Sequence, residues 1–242
     1  MEEHQQIGVN LQMGRADDNV KVVGVLADAE GMLSWQGMGE IEQDLTADVL
    51  ELRLDTLGEE ESLLAKFWDK NKKPVILTSR HPSEGGGAPL EVEKRLSQYE
   101  GCMSRAQFID IEIQTAEEMK ELMKNARGKG VKTIGSFHDF TKTPAQADLE
   151  VILARGESLG FDFLKVACRL EGIGDLQVLM ELLKVKRAVP LAVMGMGELG
   201  RVSRVTLAGC GSVFNYGYIG RSNAPGQIGA RDLKEVLTKV KG

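Results

Sequence analysis

The sequence predicts a single α/β domain, and three observations predict it. Eight short apolar runs are spaced along the chain, amphipathic stretches of helical period lie between them, and 242 residues leave no spare length for a second domain. The runs are VKVVGVL from Val20, DVLELRL from Asp48, PVILTS from Pro74, FIDIEI from Phe108, VKTIGSF from Val131, FDFLKVA from Phe161, VPLAVMGM from Val189 and GSVFNYG from Gly211. Their length and flanking Gly or Pro argue for strands buried on both faces. Eight such strands alternating with helices make a (β/α)8 TIM barrel, a fold of ~250 residues. An open doubly wound sheet is the rival that the same alternation allows.

The intervening segments have the expected period. Over residues 115–128, Met119, Leu122, Met123 and Ala126 share one helix face. Thr115 and Glu118 have the spacing of a capping box, and Gly128 is a stop. Over residues 143–160, Thr143 is placed to cap, with Pro144 in the first turn. From Asp175, Leu176, Leu179, Met180 and Leu183 repeat the pattern, as do Leu233, Val236, Leu237 and Val240 from Arg231. Residues 1–19 read as a polar lead-in without core pattern, and 20–242 as the barrel.

Composition narrows the function classes. An apolar fraction of 42% with 27% charged residues excludes general disorder. Thirty basic against 36 acidic residues give a net charge of −6, with no basic bias toward nucleic acid or anionic lipid. Cys102, Cys168 and Cys210 are an odd, widely spaced set without a CxxC pair, which fits a reducing cytoplasm better than a disulfide framework. The N-terminus lacks the basic and apolar regions of a signal peptide, and no 18-residue apolar stretch predicts a membrane span. Glycine is in excess, 28 of 242, which argues for many tight turns or close backbone approaches.

A barrel carries its chemistry at the carboxyl ends of its strands, where this chain concentrates polar residues. Glu51 and Arg53 lie in strand two, Arg80 and Glu84 follow strand three, and Asp110 and Glu112 alternate with isoleucines in strand four. His138 and Asp139 end strand five, Lys165 lies mid-strand in six, Glu198, Arg201 and Arg204 follow seven, and Tyr216 and Gln227 belong to the end of eight. Desolvation disfavours an ammonium ion, which is how a strand lysine becomes a Schiff-base nucleophile. The plainer alternative is a lysine paired with Glu51 or Glu112 only to satisfy buried charge. His138, on the neighbouring strand end, is the general acid/base candidate, against a purely structural histidine.

GMGELG from Gly195 matches GxGxxG, yet no acidic residue lies between Leu199 and Asp232 to complete a dinucleotide fingerprint. Its glycines are read instead as backbone passing close to a ligand, with Arg204 placed to clamp a carboxylate. Glu51, Asp110 and Glu112 could hold a metal, but Arg53, Arg80 and Lys165 neutralise them, so a charge network is expected and no metal. The glycines at 85–87 suit either a mobile loop or a plain surface turn.

Together these pieces resemble the type I 3-dehydroquinate dehydratases. The resemblance runs from about Val20 to the last helix through LELRLD, TSRHPSEGG, FIDIEI, SFHDFTKTP, FDFLKVA, MGMGELGRVSR and APGQI, in that order. It implies a hydro-lyase of the shikimate pathway without metal or organic cofactor. Lys165 would attack the C3 ketone of 3-dehydroquinate, and the resulting iminium would acidify the C2 proton. His138 would take that proton and return one to the departing C1 hydroxyl, a syn elimination giving 3-dehydroshikimate. The resemblance assigns Glu84 to orient His138, Arg204 and Gln227 to the carboxylate and nearby oxygens, and Glu51, Arg53 and Arg80 to ring hydroxyls. It puts Tyr216, Met194 and Met196 in the pocket wall, and implies a cytoplasmic homodimer. Some members have serine where this chain has Asn223, which would still donate and accept on the closing loop. The competing classes are a Schiff-base aldolase, which should carry a phosphate-binding turn, and a metabolite-sensing module, which should have lost the lysine or the histidine.

Overall fold

All eight apolar runs are strands in the computed structural model, which describes residues 20–58, 61–87, 91–222 and 226–241. In chain order the elements are β1 (Lys21–Leu26), α1 (Ala29–Gly37), α2 (Glu40–Thr46), β2 (Val49–Arg53), α3 (Leu54–Leu57), α4 (Glu61–Lys70), β3 (Val75–Thr78), α5 (Val92–Cys102) and β4 (Phe108–Glu112). They continue with α6 (Lys120–Gly128), β5 (Lys132–Asp139), α7 (Gln146–Ser158), β6 (Phe163–Arg169), α8 (Ile173–Lys184), β7 (Leu191–Met196), α9 (Gly200–Gly209), β8 (Phe214–Tyr218) and α10 (Ala230–Lys241). The lead-in at 1–19 and Asn223 lie outside the described residues.

The strands pair in parallel in the order β7-β6-β5-β4-β3-β2-β1-β8. Between β7 and β8 the side chain of Ser212 stands in for ladder bonds: its hydroxyl accepts from Val193 N at 2.9 Å and donates to Val193 O at 3.1 Å. Val213 N adds a bond to Leu191 O at 3.2 Å. The ring is thereby nearly closed, a (β/α)8 TIM barrel in one domain. A broad apolar layer between strands and helices, with Trp35, Phe67 and Tyr99 fully buried, holds the helices to it.

The inward residues of a strand repeat every second position, and here they change character along the strand. Phe108, Asp110 and Glu112 share one face of β4; Ile134, Ser136 and His138 share one of β5; Phe163, Lys165 and Ala167 share one of β6. The amino ends are apolar, and Phe108, Phe163 and Phe214 pack with ring centroids 5.3–5.8 Å apart as a plug. Polar groups begin one layer above it. Glu112, Ser136, Lys165 and Ala192 share a rung across β4 to β7.

Three local expectations fail. The helix expected from Thr115 begins at Lys120, because residues 115–119 form successive turns and the Thr115 hydroxyl lies 3.4 Å from Glu112 Oε2 instead of capping. Thr143 does not cap α7; its hydroxyl donates to Arg169 O at 2.7 Å, tying two loops, and the helix starts at Gln146. The GMGELG glycines do not face the cleft. Gly197 has φ +85°, and a Cβ on Gly226 would stand 1.9 Å from Gly197 O, so these glycines let two loop backbones touch. Elsewhere α8 begins at Ile173, two residues ahead of Asp175, whose carboxylate accepts from Gly172 N at 3.0 Å and so caps the helix from inside.

Candidate active site

An open cleft of about 530 Å³ lies above the aromatic plug at the carboxyl ends of the strands. It is lined by Glu51, Arg53, Arg80, Glu84, His138, Lys165, Met194, Met196, Arg204, Tyr216 and Gln227, every residue to which the resemblance gives a role apart from Asn223, while Asp110, Glu112, Asp139, Glu198 and Arg201 do not line it. Val25, Gly85, Phe140 and Ala167 complete the wall.

Lys165 stands at the floor with 3% of its surface exposed. Its Nζ lies 3.0 Å from Asp110 Oδ2, 3.4 Å from Glu51 Oε1 and 4.0 Å from the centre of the Tyr216 ring. The expected pairing with Glu51 is present; Glu112, the other expected partner, is held by arginines. Arg80 Nη1 reaches Asp110 Oδ1, Glu112 Oε1 and Ser136 Oγ at 2.9, 2.9 and 2.6 Å. Arg95, fully buried on α5, binds Glu112 Oε2 and donates to Ser79 O. Burial alone would raise the Asp110 carboxyl, but Arg80 and Lys165 outweigh it and hold it well below its ordinary value. Three carboxylates and three cations thus pair with one another, leaving Arg95 Nη1 unbonded, and the described residues hold no His/Cys/Asp/Glu cluster able to bind a metal.

His138 occupies the strand end above this floor, with a side chain 8% exposed. Its Nδ1 lies 2.9 Å from Glu84 Oε2, and its backbone N–H donates to the same oxygen at 2.9 Å. Burial, Arg80 and Lys165 push the imidazole well below its usual pKa, so it is neutral at pH 7. Burial also drives Glu84 up to about 8, with Glu112 and Asp110 adding to it against Arg80. With Glu84 Oε2 accepting from Nδ1–H as it does from the backbone N–H, and any proton of the carboxyl on Oε1, the neutral imidazole presents Nε2 as the group able to accept a proton. Phe140 lies nearly parallel to the ring, 6.5 Å between centroids and 19° between planes.

The wall opposite is different. Arg204 is 2% exposed, and its Nη1 donates to Tyr216 O at 2.6 Å, while Nε has no partner. Burial lowers its pKa to about 10, which still leaves it charged at neutral pH. The Tyr216 hydroxyl is also unpartnered, and burial holds it well above its ordinary pKa, hence protonated. Gln227, 6% exposed, lies 3.4 Å through Oε1 from the Ser222 hydroxyl.

Sequence reading missed Asp55, Arg95, Tyr99, Ser136 and Phe140. Asp55 and Phe140 lie inside motifs already quoted, LELRLD and SFHDF, where nearer charges drew attention. Arg95 and Tyr99 carry no signal, since a polar residue on an amphipathic helix reads as surface; yet Tyr99 OH donates to Asp110 O at 2.6 Å under the site.

The glycines at 85–87 form a surface turn, with Gly85 and Gly87 exposed. Gly85 has φ +85°, and a Cβ on Gly86 would stand 2.2 Å from Arg80 O, so the turn is tightly packed.

Residues 36–242 match the family described as Type I 3-dehydroquinase. A 3-dehydroquinate dehydratase of Klebsiella pneumoniae subsp. pneumoniae is 36% identical over 208 residues, covering 80% of this chain and 83% of that one. Another, from Thermodesulfovibrio yellowstonii, is 31% identical over 199 residues, covering 81% and 86%. Among solved structures, a type I 3-dehydroquinate dehydratase from Clostridium difficile with covalently modified comenic acid superposes with a TM-score of 0.81 at 25% identity, covering 92% of both chains.

Proposed function

The chain belongs to the type I 3-dehydroquinase family and is a 3-dehydroquinate dehydratase, a hydro-lyase of the shikimate pathway, and from that premise we propose which of its residues perform the elimination. Lys165 is the nucleophile. Its amine, once deprotonated, adds to the C3 ketone of 3-dehydroquinate, and loss of water gives an iminium that draws electrons from the C2–H bond. His138 removes the C2 proton, forming an enamine. The enamine expels the C1 hydroxyl while His138 returns the proton, so water leaves from the same face, and hydrolysis of the product iminium frees Lys165 and 3-dehydroshikimate.

The observation that carries this reading is a single amine at the cleft floor, 3.0 Å from Asp110, with a neutral imidazole on the adjacent strand. Glu84 fixes the tautomer of His138. Arg204, with an unpartnered buried Nε, holds the substrate carboxylate together with Gln227. Glu51, Arg53 and Arg80 read the ring hydroxyls, Met194, Met196 and Tyr216 form the apolar wall, and Asn223 belongs to the closing loop. Borohydride reduction in the presence of 3-dehydroquinate should trap a stable adduct on Lys165 by mass spectrometry, alongside enone absorbance from product. Absence of both the adduct and the absorbance would refute the assignment. The enzyme is also read as cytoplasmic, in keeping with three free cysteines, and as a homodimer, which light scattering tests.

A further inference from the structure

The geometry points to Asp55 as a positioning residue that couples the reader of the ring hydroxyls to the loop carrying the partner of His138. Asp55 does not line the cleft. Its side chain is fully buried in α3, just past β2, and each of its oxygens accepts twice. Oδ1 receives Arg53 Nε at 3.0 Å and Arg80 N at 3.1 Å; Oδ2 receives Arg53 Nη2 at 2.8 Å and Gly87 N at 2.9 Å.

The carboxylate therefore does two things. It holds the Arg53 guanidinium in a bidentate grip, which sets the direction in which Arg53 faces the cleft. It also pins both ends of the segment from Arg80 to Gly87, in whose middle Glu84 meets His138. Arg53 Nη2 adds a bond to Gly85 O at 3.3 Å, linking the two halves directly. Since glycines 85–87 offer no side chains to anchor this segment, its position rests on hydrogen bonds, and Asp55 supplies them at both ends. All four acceptor sites of the carboxylate are in use. Asparagine presents one acceptor oxygen and turns an NH2 toward two of the four donors, so Asp55→Asn must break contacts on one side of the grip.

This inference rests on the proposed roles of Arg53, Glu84, His138 and Lys165, and the experiment separates the two. Wild-type turnover and the borohydride adduct on Lys165 test those roles; kcat of every variant is then expressed per adduct-forming site, so that a partly unfolded preparation does not count as a kinetic effect. Asp55→Asn is expected to raise KM for 3-dehydroquinate about 10-fold and lower kcat about 5-fold, as loss of charged contacts that position others would. In an Arg53→Gln background, adding Asp55→Asn should change KM less than about 2-fold, because its route to substrate is gone, while the loss in kcat persists through the loop. A KM change that multiplies independently with Arg53→Gln, or an unchanged kcat, would overturn the coupling while leaving the active wild type, and so the functional reading, intact.

Discussion

On the β2 to β6 side of the cleft the Glu51, Asp110 and Glu112 carboxylates each meet a cation, with only Glu84 Oε1 and Arg95 Nη1 left unbonded, whereas Arg204 on the β7 to β8 side meets no carboxylate among the described residues. Glu51, Asp110 and Glu112 are matched by Lys165, Arg80 and Arg95, with Thr78, Ser136 and backbone groups taking up remaining acceptor positions. Across the cleft, Arg204 keeps one buried nitrogen unbonded and the Tyr216 hydroxyl has no partner. Unpaired buried polar atoms cost stability, typically about 1–3 kcal/mol each. The difference separates a side organised in advance of substrate from a side that substrate completes. The first fixes the orientation of the amine proposed to react; the second offers a cation and donors to the carboxylate proposed to bind there. Exchanging one residue at a time on each side tests that division, since breaking a satisfied network and removing an unsatisfied charge have unequal effects on stability.

The largest effect is expected on the satisfied side. Lys165→Ala removes the proposed nucleophile, so both the enone product and the borohydride adduct should disappear. It also leaves Glu51 and Asp110 buried with one cation fewer, and breaking a buried pair costs about 3–5 kcal/mol. The melting temperature should therefore fall together with activity. A variant inactive but as stable as the parent would mean that the floor is not the tightly balanced network its distances describe.

His138→Ala should come second, slowing turnover about 10²–10⁴-fold, the usual contribution of a positioned acid/base. Adduct formation on Lys165 should survive, because the amine is untouched. The same residue sets a pH signature. Burial and the nearby cations depress the imidazole pKa, and His138 must be neutral to accept the C2 proton. Activity is then kept as pH falls through the ordinary histidine value of about 6.5, and the acid limb of kcat/KM should appear below it. A limb above 6.5 would contradict the depressed value, and equal, small effects from the Lys165 and His138 substitutions would contradict the assigned roles.

How far this division was legible in the sequence depended on strand periodicity. Lys165, Glu51 and Asp110 break the apolar character of strands whose alternate residues must point inward, so their place inside the barrel followed from position alone. Arg80, Glu84, His138, Arg204 and Gln227 came from the strand-end rule and the family resemblance, and all five line the cleft. Arg95 did not come through, because its helix packs over the β3 end and nothing local tells an exposed arginine from one that turns inward to Glu112. Asp55 was hidden by Arg53 beside it. The helix starts at Thr115 and Thr143 were misread for a related reason: both hydroxyls lie against strand-end acceptors instead of a helix terminus, Glu112 just before Thr115 and the remote Arg169 O for Thr143. Likewise GMGELG was read toward a ligand, when Gly197 and Gly200 serve the contact with Gly226 and Gly195 packs against Leu170 and Ser203.

The unsatisfied side makes the opposite test. Arg204→Met removes the cation proposed to hold the substrate carboxylate, and a charge-assisted contact of about 2–3 kcal/mol corresponds to a rise in KM of roughly 30–100-fold. Because Arg204 faces no carboxylate among the described residues, its removal strands no buried anion, only the Tyr216 carbonyl that Nη1 serves, and the melting temperature should fall far less than in Lys165→Ala. A fall in stability like that of Lys165→Ala would erase the distinction between the two sides.

Ser212→Ala probes the frame below both. Its hydroxyl serves Val193 N and Val193 O where the β7 and β8 backbones do not form a ladder, so alanine leaves a buried donor and acceptor unpaired. The expected loss is about 1–3 kcal/mol of stability, seen as a lower denaturation midpoint. Ser212 lies at the amino end of β8, below the aromatic plug and away from the reacting groups, so kcat and KM should stay within about 2-fold of the parent. If KM rose instead, the seam would be transmitting to Arg204 and Tyr216, which flank it on α9 and β8, and the open wall would owe its geometry to barrel closure as much as to the side chains that line it.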